Sequence, residues 1–443
     1  MFKTIVVREI LEYLKSARFA LGLFITVVLV AASTLINVED YALRHQDYLD
    51  AKKELQAESR RVNILRGPQV LSALVRGKDR DLGEMAPRIG VHRVPSELSG
   101  YMNVPKSKYP SLARLSAVDF AFVVRVIMSL MVIFLAYGAV AEEKAAGTLK
   151  LVLANSLPRD KLLLGKLASG LAVVLGALAV AALLAVLFMV LHPAVSLLAD
   201  DILRIAGMMA VSALYLSMFY ALGLFVSVKV DRPAVALMVL LQAWIFLVVL
   251  YPNLSVTLAE RLVPLPSEQS VVAEKAAVEG RFRQAIEDAS ERLVDFADPK
   301  KAAENRLRYN QVSSQKAEEI HKLDSEFSRR QTRQMKSADL LSSLSPAALY
   351  DHVMNRLART DIREYEAFMD GVVRLWRSYV ERDNLRVTNY EAYKRSKLPD
   401  FSYASESTSQ SIVAVLPQGL ALILFSLVFF MLAYTGFLKK DLR

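Results

Sequence analysis

Residues 141–166 read AEEKAAGTLKLVLANSLPRDKLLLGK and lie between two of the longest apolar runs of the chain. A polar-to-mixed segment in that place is either an idle connection or a surface on which another protein acts. The runs on either side, Phe120–Val140 and Leu167–Leu191, are joined by four more: Phe19–Ile36, Ile205–Val228, Pro233–Tyr251 and Ile412–Leu438. A bilayer core of about 30 Å is crossed by about 20 helical residues, and each run meets that length. The chain is 54% hydrophobic although 23% of its residues are charged, so the apolar excess is confined to discrete runs. That is the pattern of a membrane protein with aqueous parts. No run alternates as a barrel strand does, and backbone in lipid must satisfy its own hydrogen bonds, which makes the six runs helices. The first has a basic flank and an Ala31-Ala32-Ser33 stretch, but its apolar length suits a retained span better than a shorter signal core.

Orientation follows from basic residues in short loops. Lys3, Arg8, Lys15 and Arg18 precede the first span. Lys144, Lys150, Arg159, Lys161 and Lys166 lie in the 141–166 segment, Lys229 and Arg232 in the next turn, and Lys439, Lys440 and Arg443 in the tail. All fall on one side of a six-span arrangement. The only short loop on the other side, His192–Asp201, has no Lys or Arg and two Asp. Both termini are therefore expected in the cytoplasm, with two long insertions, 37–119 and 252–411, facing outward. The net charge of +10 is partly topological, and because the basic residues flank spans they argue against a nucleic-acid partner. With no Cys, a thiol nucleophile, a cysteine metal site and disulfides are excluded.

The expected order is an interfacial helix (1–18), a span (19–36), the first insertion, a span (120–140), the 141–166 loop, and spans at 167–191, 205–228 and 233–251. The second insertion, a last span (412–438) and a tail (439–443) complete it. The fold class is an all-α membrane protein with six transmembrane helices, an N-terminal interfacial helix and two mainly helical extracytoplasmic insertions. In the first insertion a polar helix is expected over 41–65, ended by Gly67-Pro68, with a Pro/Gly-rich irregular part following to about Pro110. In the second, Val278, Phe282, Ala285, Ala289, Leu293 and Phe296 recur at helical spacing over Ser267–Phe296. A polar helix over Lys300–Lys336, seamed by Ile320, Leu323 and Phe327, completes an expected antiparallel hairpin. A third helical region, Pro346–Arg382, carries Leu349, Val353, Leu357, Phe368 and Val372 as core.

Catalytic signatures are missing. The five histidines are scattered, with no HExxH. There is no GxxxxGK[ST] and no G-x-S-x-G. No catalytic residue and no metal ligand is expected, and His321 with Asp324 reads as a solvated helix face. Ionisable or polar residues in spans mark pathways, which makes Asp119, Arg125 and Gln242 the pathway candidates. Arg125 either reaches the outer interface or pairs with Asp119, or else serves an exit pathway or an anionic head group. Arg204 opens the fourth span. No chain of buried acids crosses the membrane, which counts against ion-coupled transport.

Within 141–166, Glu142 and Glu143 follow the span directly, Gly147-Thr148 interrupts two short helical pieces, and Leu149, Leu151 and Val152 are expected to be exposed. Pro158 starts a second turn, where its missing N–H costs little, and Asp160 suits the helix dipole. The stretch EEKAAGTLKLVLANSLPRDKLLLGK resembles the E-x-x-x-G-T-L segment of type-2 ABC-transporter permeases. The match falls on Glu143, Gly147, Thr148, Leu149, Pro158, Leu163 and Gly165-Lys166. The N-terminus resembles the family's elbow helix: Phe2, Ile5, Val6, Ile10, Tyr13, Leu14 and Ala17 form an apolar face opposite Lys3, Arg8, Glu12 and Lys15. LSPAALYDHVMNRLARTDIREYEAF (344–368) resembles a subgroup with a large insertion before the last span. Compact members have short outer loops, and here this chain departs from them.

The resemblance implies a coupling helix that meets an ATP-binding subunit through Glu142, Glu143, Lys144, Gly147, Thr148, Leu149, Pro158 and Arg159. It implies two such subunits holding ATP and Mg, no cofactor in this chain, and a second permease copy, identical or homologous. Membrane lipid and a periplasmic protein are the other expected partners. The implied setting is a bacterial inner membrane and the implied activity is export. The alternatives are mechanical action on envelope partners, and a scaffold or sensor with no ATPase. Displacement of the loop is expected to pass through the second and third spans, where Ala168, Ser169, Gly170, Gly176 and Ala177 permit close helix packing.

Overall fold

The computed structural model describes residues 2–57, 64–80, 117–149, 158–291, 299–397 and 401–439. Its elements are helical, with no β-strand among the described residues. Helix α1 (Phe2–Lys15) ends at Ser16, whose hydroxyl accepts the Phe19 N–H at 3.2 Å and so caps α2 (Ala17–Ala57). Nothing in Asn37-Val38-Glu39-Asp40 breaks a helix, so the first span runs straight into the polar helix expected over 41–65. Hydropathy marks where α2 meets lipid, not where it stops. Beyond it, residues 64–80 carry one 3-10 turn, Val70–Ala73. They are pinned to α2 by Asp79, fully buried, which receives Arg66 and Arg44 at 2.8 Å each. The rest of the expected irregular region, 81–116, lies outside the described residues.

The second span comprises α3 (Phe120–Phe122), a π-helical stretch (Val123–Met128) and α4 (Ser129–Ala136), and leads into α5 (Ala141–Ala145). The third and fourth are α6 (Arg159–Leu191) and α7 (Ala199–Lys229). The fifth starts as α8 (Pro233–Trp244), passes a π-helical stretch (Ile245–Leu250) and continues unbroken as α9 (Tyr251–Leu262). Then come α10 (Glu268–Glu291), α11 (Pro299–Ser342), α12 (Pro346–Leu357), α13 (Ile362–Thr388), α14 (Tyr390–Arg395) and the sixth span, α15 (Thr408–Lys439). Six helices among the described residues are long and apolar enough to cross a membrane.

The fourth span is the hub, packed on the second, third and sixth and on α12. Met208, Tyr215, Leu216, Phe219 and Tyr220 on it are completely buried. Much of the third, fifth and sixth spans instead exposes leucine, valine and methionine, as lipid contact requires.

α10 and α11 form an antiparallel hairpin, with Arg281 on Glu319 at 2.7 Å and Lys275 on Asp324. Val271, Val278 and Ala289 line its seam, whereas Ala285 is exposed, and Leu293 and Phe296 lie outside the described residues. The helical region expected over Pro346–Arg382 comprises two helices. A turn at Ala358–Asp361, with Arg359 at φ +57°, divides it. Leu349, Val353 and Leu357 of α12 insert into the bundle core, while Phe368 and Val372 of α13 join Ile64, Tyr365 and Met369 in a separate cluster.

Candidate functional site

Segment 141–149 sits at the end of the bundle that carries both termini. The N–H groups of Val140 and Ala141 would be orphans at the start of α5, and both donate to the Ser227 hydroxyl at 2.9 Å. Ser227 belongs to the last turn of α7. Lys144 reaches the same turn, its ammonium donating to the carbonyls of Ser227 at 3.2 Å and Val230 at 3.1 Å, and to that of Val228. A cation among the final carbonyls complements the helix dipole. The acidic neighbours bind elsewhere. Glu142 takes Arg18 of α2 at 2.8 Å, and Glu143 takes Lys166 of α6 at 2.7 Å.

Lys166 is 2% exposed and also pairs with Glu9 of α1 at 2.8 Å. A second polar thread joins the same helices. The Tyr220 hydroxyl donates to the Lys166 carbonyl at 3.0 Å and lies 3.1 Å from the Tyr13 hydroxyl. Gly170 makes room for this ring, since a Cβ there would fall 1.9 Å from Tyr220 Cζ.

Of the eight residues expected to face a partner, Glu142, Glu143, Lys144 and Arg159 are directed at the chain itself. Arg159 donates to the Leu438 carbonyl at 3.2 Å. Leu149, expected to be exposed, is buried at 1% among Val140, Leu162, Leu163 and Phe437, because an apolar side chain at the foot of the bundle finds a satellite core within reach. Leu151 and Val152 lie outside the described residues. Gly147, Thr148 and Pro158 are exposed, with Ala145 and Ala146. Gly147 has φ +75° and open space around it, so its role is conformational.

Two of the pathway candidates, Asp119 and Arg125, line one cavity with Arg76 and Asp351, and Gln242 does not reach it. Arg125 pairs with Asp351 of α12 and not with Asp119. Asp119 caps α3, accepting the Phe122 N–H at 2.7 Å and the Arg76 N–H at 3.0 Å. Asp351 has a carboxyl pushed up to about 6 by burial, against the pull of Arg125. Gln242 faces away from both on the exposed side of α8. Among the described residues no three His, Asp or Glu side chains gather as metal ligands. On α1, Ile5, Val6, Ile10 and Tyr13 face the protein, while Phe2, Leu14 and Ala17 are exposed. Of the partners that hold the segment, Lys166 was read only as a motif and flanking basic residue, and Glu9 was missed. The available signal was an acid in the middle of the apolar seam of α1.

Six spans around a buried fourth helix, with both termini and a fastened loop at one end, define a multi-pass membrane protein. A profile of the ABC-2 family transporter proteins matches residues 4–442, and the chain belongs to this family. It is a permease subunit of an ABC transporter, and membership implies partnership with an ABC ATP-binding subunit. Comparison with curated proteins finds no match.

Proposed function

We propose that segment 141–149 is the cytoplasmic surface on which the ATP-binding subunit acts, and that this chain turns the nucleotide cycle into export. The observation that supports the reading is the division of labour in the segment. Glu142, Glu143 and Lys144 fasten it to the first, third and fourth spans, while Ala145–Thr148 faces outward. A push on that tip moves spans and not merely the loop. The basic short loops favour this end lying in the cytoplasm, with the insertions outside a bacterial inner membrane. ATP and Mg chemistry belongs to the partner, since the sequence has no P-loop. Two ATP-binding subunits and a second permease copy, identical or homologous, complete the assembly, and a lipid, peptide or other hydrophobic compound is the substrate class. A second reading, mechanical action of the insertions on an envelope partner, draws support from helices that leave the membrane unbroken, Ala17–Ala57 and Pro233–Leu262.

The test uses the absence of native cysteine. Thr148→Cys, with the ATP-binding subunit co-expressed, is expected to cross-link to that subunit and to resist an impermeant maleimide in intact cells. Labelling from outside, or no cross-link in a complex that still co-purifies, overturns the assignment.

A further inference from the structure

Three elements far apart in sequence meet at one ammonium: α1 through Glu9, α5 through Glu143 and α6 through Lys166 itself. We infer that Lys166 is a positioning residue that passes displacement of segment 141–149 to the N-terminal helix, so that α1, α5 and the start of α6 travel as one body. The inference deepens the coupling reading and rests on it.

Magnitudes select this contact. A lysine at the foot of a span can extend its stem to water. This one is 2% exposed instead, held 2.8 and 2.7 Å from its two acceptors. Separating a buried ion pair leaves an uncompensated charge, which is strongly unfavourable. A second tie at this corner, Arg18 to Glu142, has side chains 50% and 47% exposed, and such solvent-screened pairs contribute little. Movement of α5 therefore drags Lys166 and, through it, Glu9, while the exposed pair yields. Side-chain hydrogen bonds tie this body to the fourth span: the Tyr220 hydroxyl donates to the Lys166 carbonyl and meets that of Tyr13. Helix α1 exposes Val7, Leu11 and Leu14 on its far side at 47%, 48% and 49%. A nucleotide-driven shift would thus be felt at the membrane surface as well as across the bundle.

The experiment places a single environment-sensitive fluorophore at Leu11→Cys or Thr148→Cys in the full complex with its ATP-binding subunit, in nanodiscs, with and without ATP and vanadate. In the otherwise unchanged chain both labels are expected to respond. In Lys166→Met the label at 148 still responds and the label at 11 falls silent, and Lys166→Arg restores it. If Lys166→Met fails to insert, Glu9→Gln, which keeps the shape and removes one charge, gives the same split. An undiminished response at 11 in these variants overturns the inference alone. Silence of both labels in the variants, with the partner still bound, marks a merely structural lysine and also overturns it. Silence at 148 in the unsubstituted complex instead overturns the coupling reading itself.

Discussion

Replacing Arg204 with Met removes the best-satisfied side chain at the insertion end of the bundle. Arg204 is completely buried. Its guanidinium donates to the Leu357 carbonyl at 3.1 Å, the Ser411 hydroxyl at 3.2 Å, the Glu406 carbonyl at 2.9 Å and Asp200 at 3.1 Å. These acceptors do not lose equally. Asp200 is 42% exposed, so that pair is worth under about 1 kcal/mol. The Glu406 carbonyl keeps Arg359 at 3.1 Å and Ser411 keeps the Glu406 carboxylate at 3.1 Å. The Leu357 carbonyl, at the C-terminus of α12, loses its charged donor outright. A hydrogen bond from a charged group contributes about 1.5–3 kcal/mol, and an orphaned buried acceptor costs about 1–3 kcal/mol. Met fills the stem volume and relieves the desolvation of the guanidinium, which offsets part of this. The expected net loss is about 3 kcal/mol. Arg204→Lys should lose about 2 kcal/mol, since one ammonium cannot span all the acceptors. Thermal unfolding in detergent measures the size of the loss. Hydrogen exchange measures its place, with faster exchange over 346–362 and 401–411 and none added over 268–291. A loss below about 1 kcal/mol, or faster exchange in α10 with α12 unchanged, refutes the account.

Gly170→Ala should cost about 3 kcal/mol and disturb the Tyr220 ring, because overpacking cannot be relieved against a fully buried aromatic. Gly176→Ala should be neutral or stabilise by up to about 1 kcal/mol, since a Cβ there meets nothing within 4 Å; equal effects at the two positions in a thermal melt would contradict both. Gly147→Ala forces a Cβ into φ +75° in open space, a strain of about 1–2 kcal/mol confined to the backbone. Insertion and partner binding should survive while stimulated ATPase activity falls, and full stimulation would show that the turn is dispensable. Asp351, at about 6 in the folded protein against about 3.9 unfolded, binds more protons folded than unfolded between these values. Its contribution to stability is therefore largest below pH 4 and declines as pH rises to 6. The effect is below about 3 kcal/mol, and is further reduced because the side chain is 31% exposed. Asp351→Asn should flatten that slope in melts taken from pH 4 to 7, and an unchanged slope would sink the assignment.

What could be read from the chain alone divides along physical lines. The six spans were legible because lipid demands long apolar runs, and the hairpin because Val278 and Ala289 keep helical spacing. The helix ends were not. Helix α2 runs on through polar residues as far as Ala57, and α6 starts at Arg159 behind Pro158, because a fall in hydropathy does not by itself stop a helix. The insertion of α12 into the bundle was also hidden. Leu349, Val353 and Leu357 make the same seam whether they cover a soluble core or a membrane one, and only tertiary packing against the fourth span, where Tyr350 stacks on Tyr215, decides. Charge pairing failed for the same reason. Arg125 has Asp119 six residues away in sequence, yet that carboxylate is occupied by backbone donors, and the open partner lies on a helix more than two hundred residues downstream.

Under the coupling reading proposed above, the fourth span is a further route for displacement across the bilayer. From sequence, the second and third spans were expected to carry it. The fourth span, like the first, is fastened by named polar contacts at both ends. Ser227 and the carbonyls behind it hold α5, and Arg204 holds α12 and the start of the sixth span. Between these ties α7 is a regular helix, Ala199–Lys229, a rod of about 46 Å at 1.5 Å per residue. Its middle is packed on all sides, so it cannot bend without opening the core. The third span is held to α5 through Lys166 at one end only, and its far half faces lipid with Leu183, Leu187 and Val190 exposed. Under the same reading a push at α5 has a path along the fourth span to α12, where the turn at Arg359, tied to Asp200 and Glu406, joins α12 to α13.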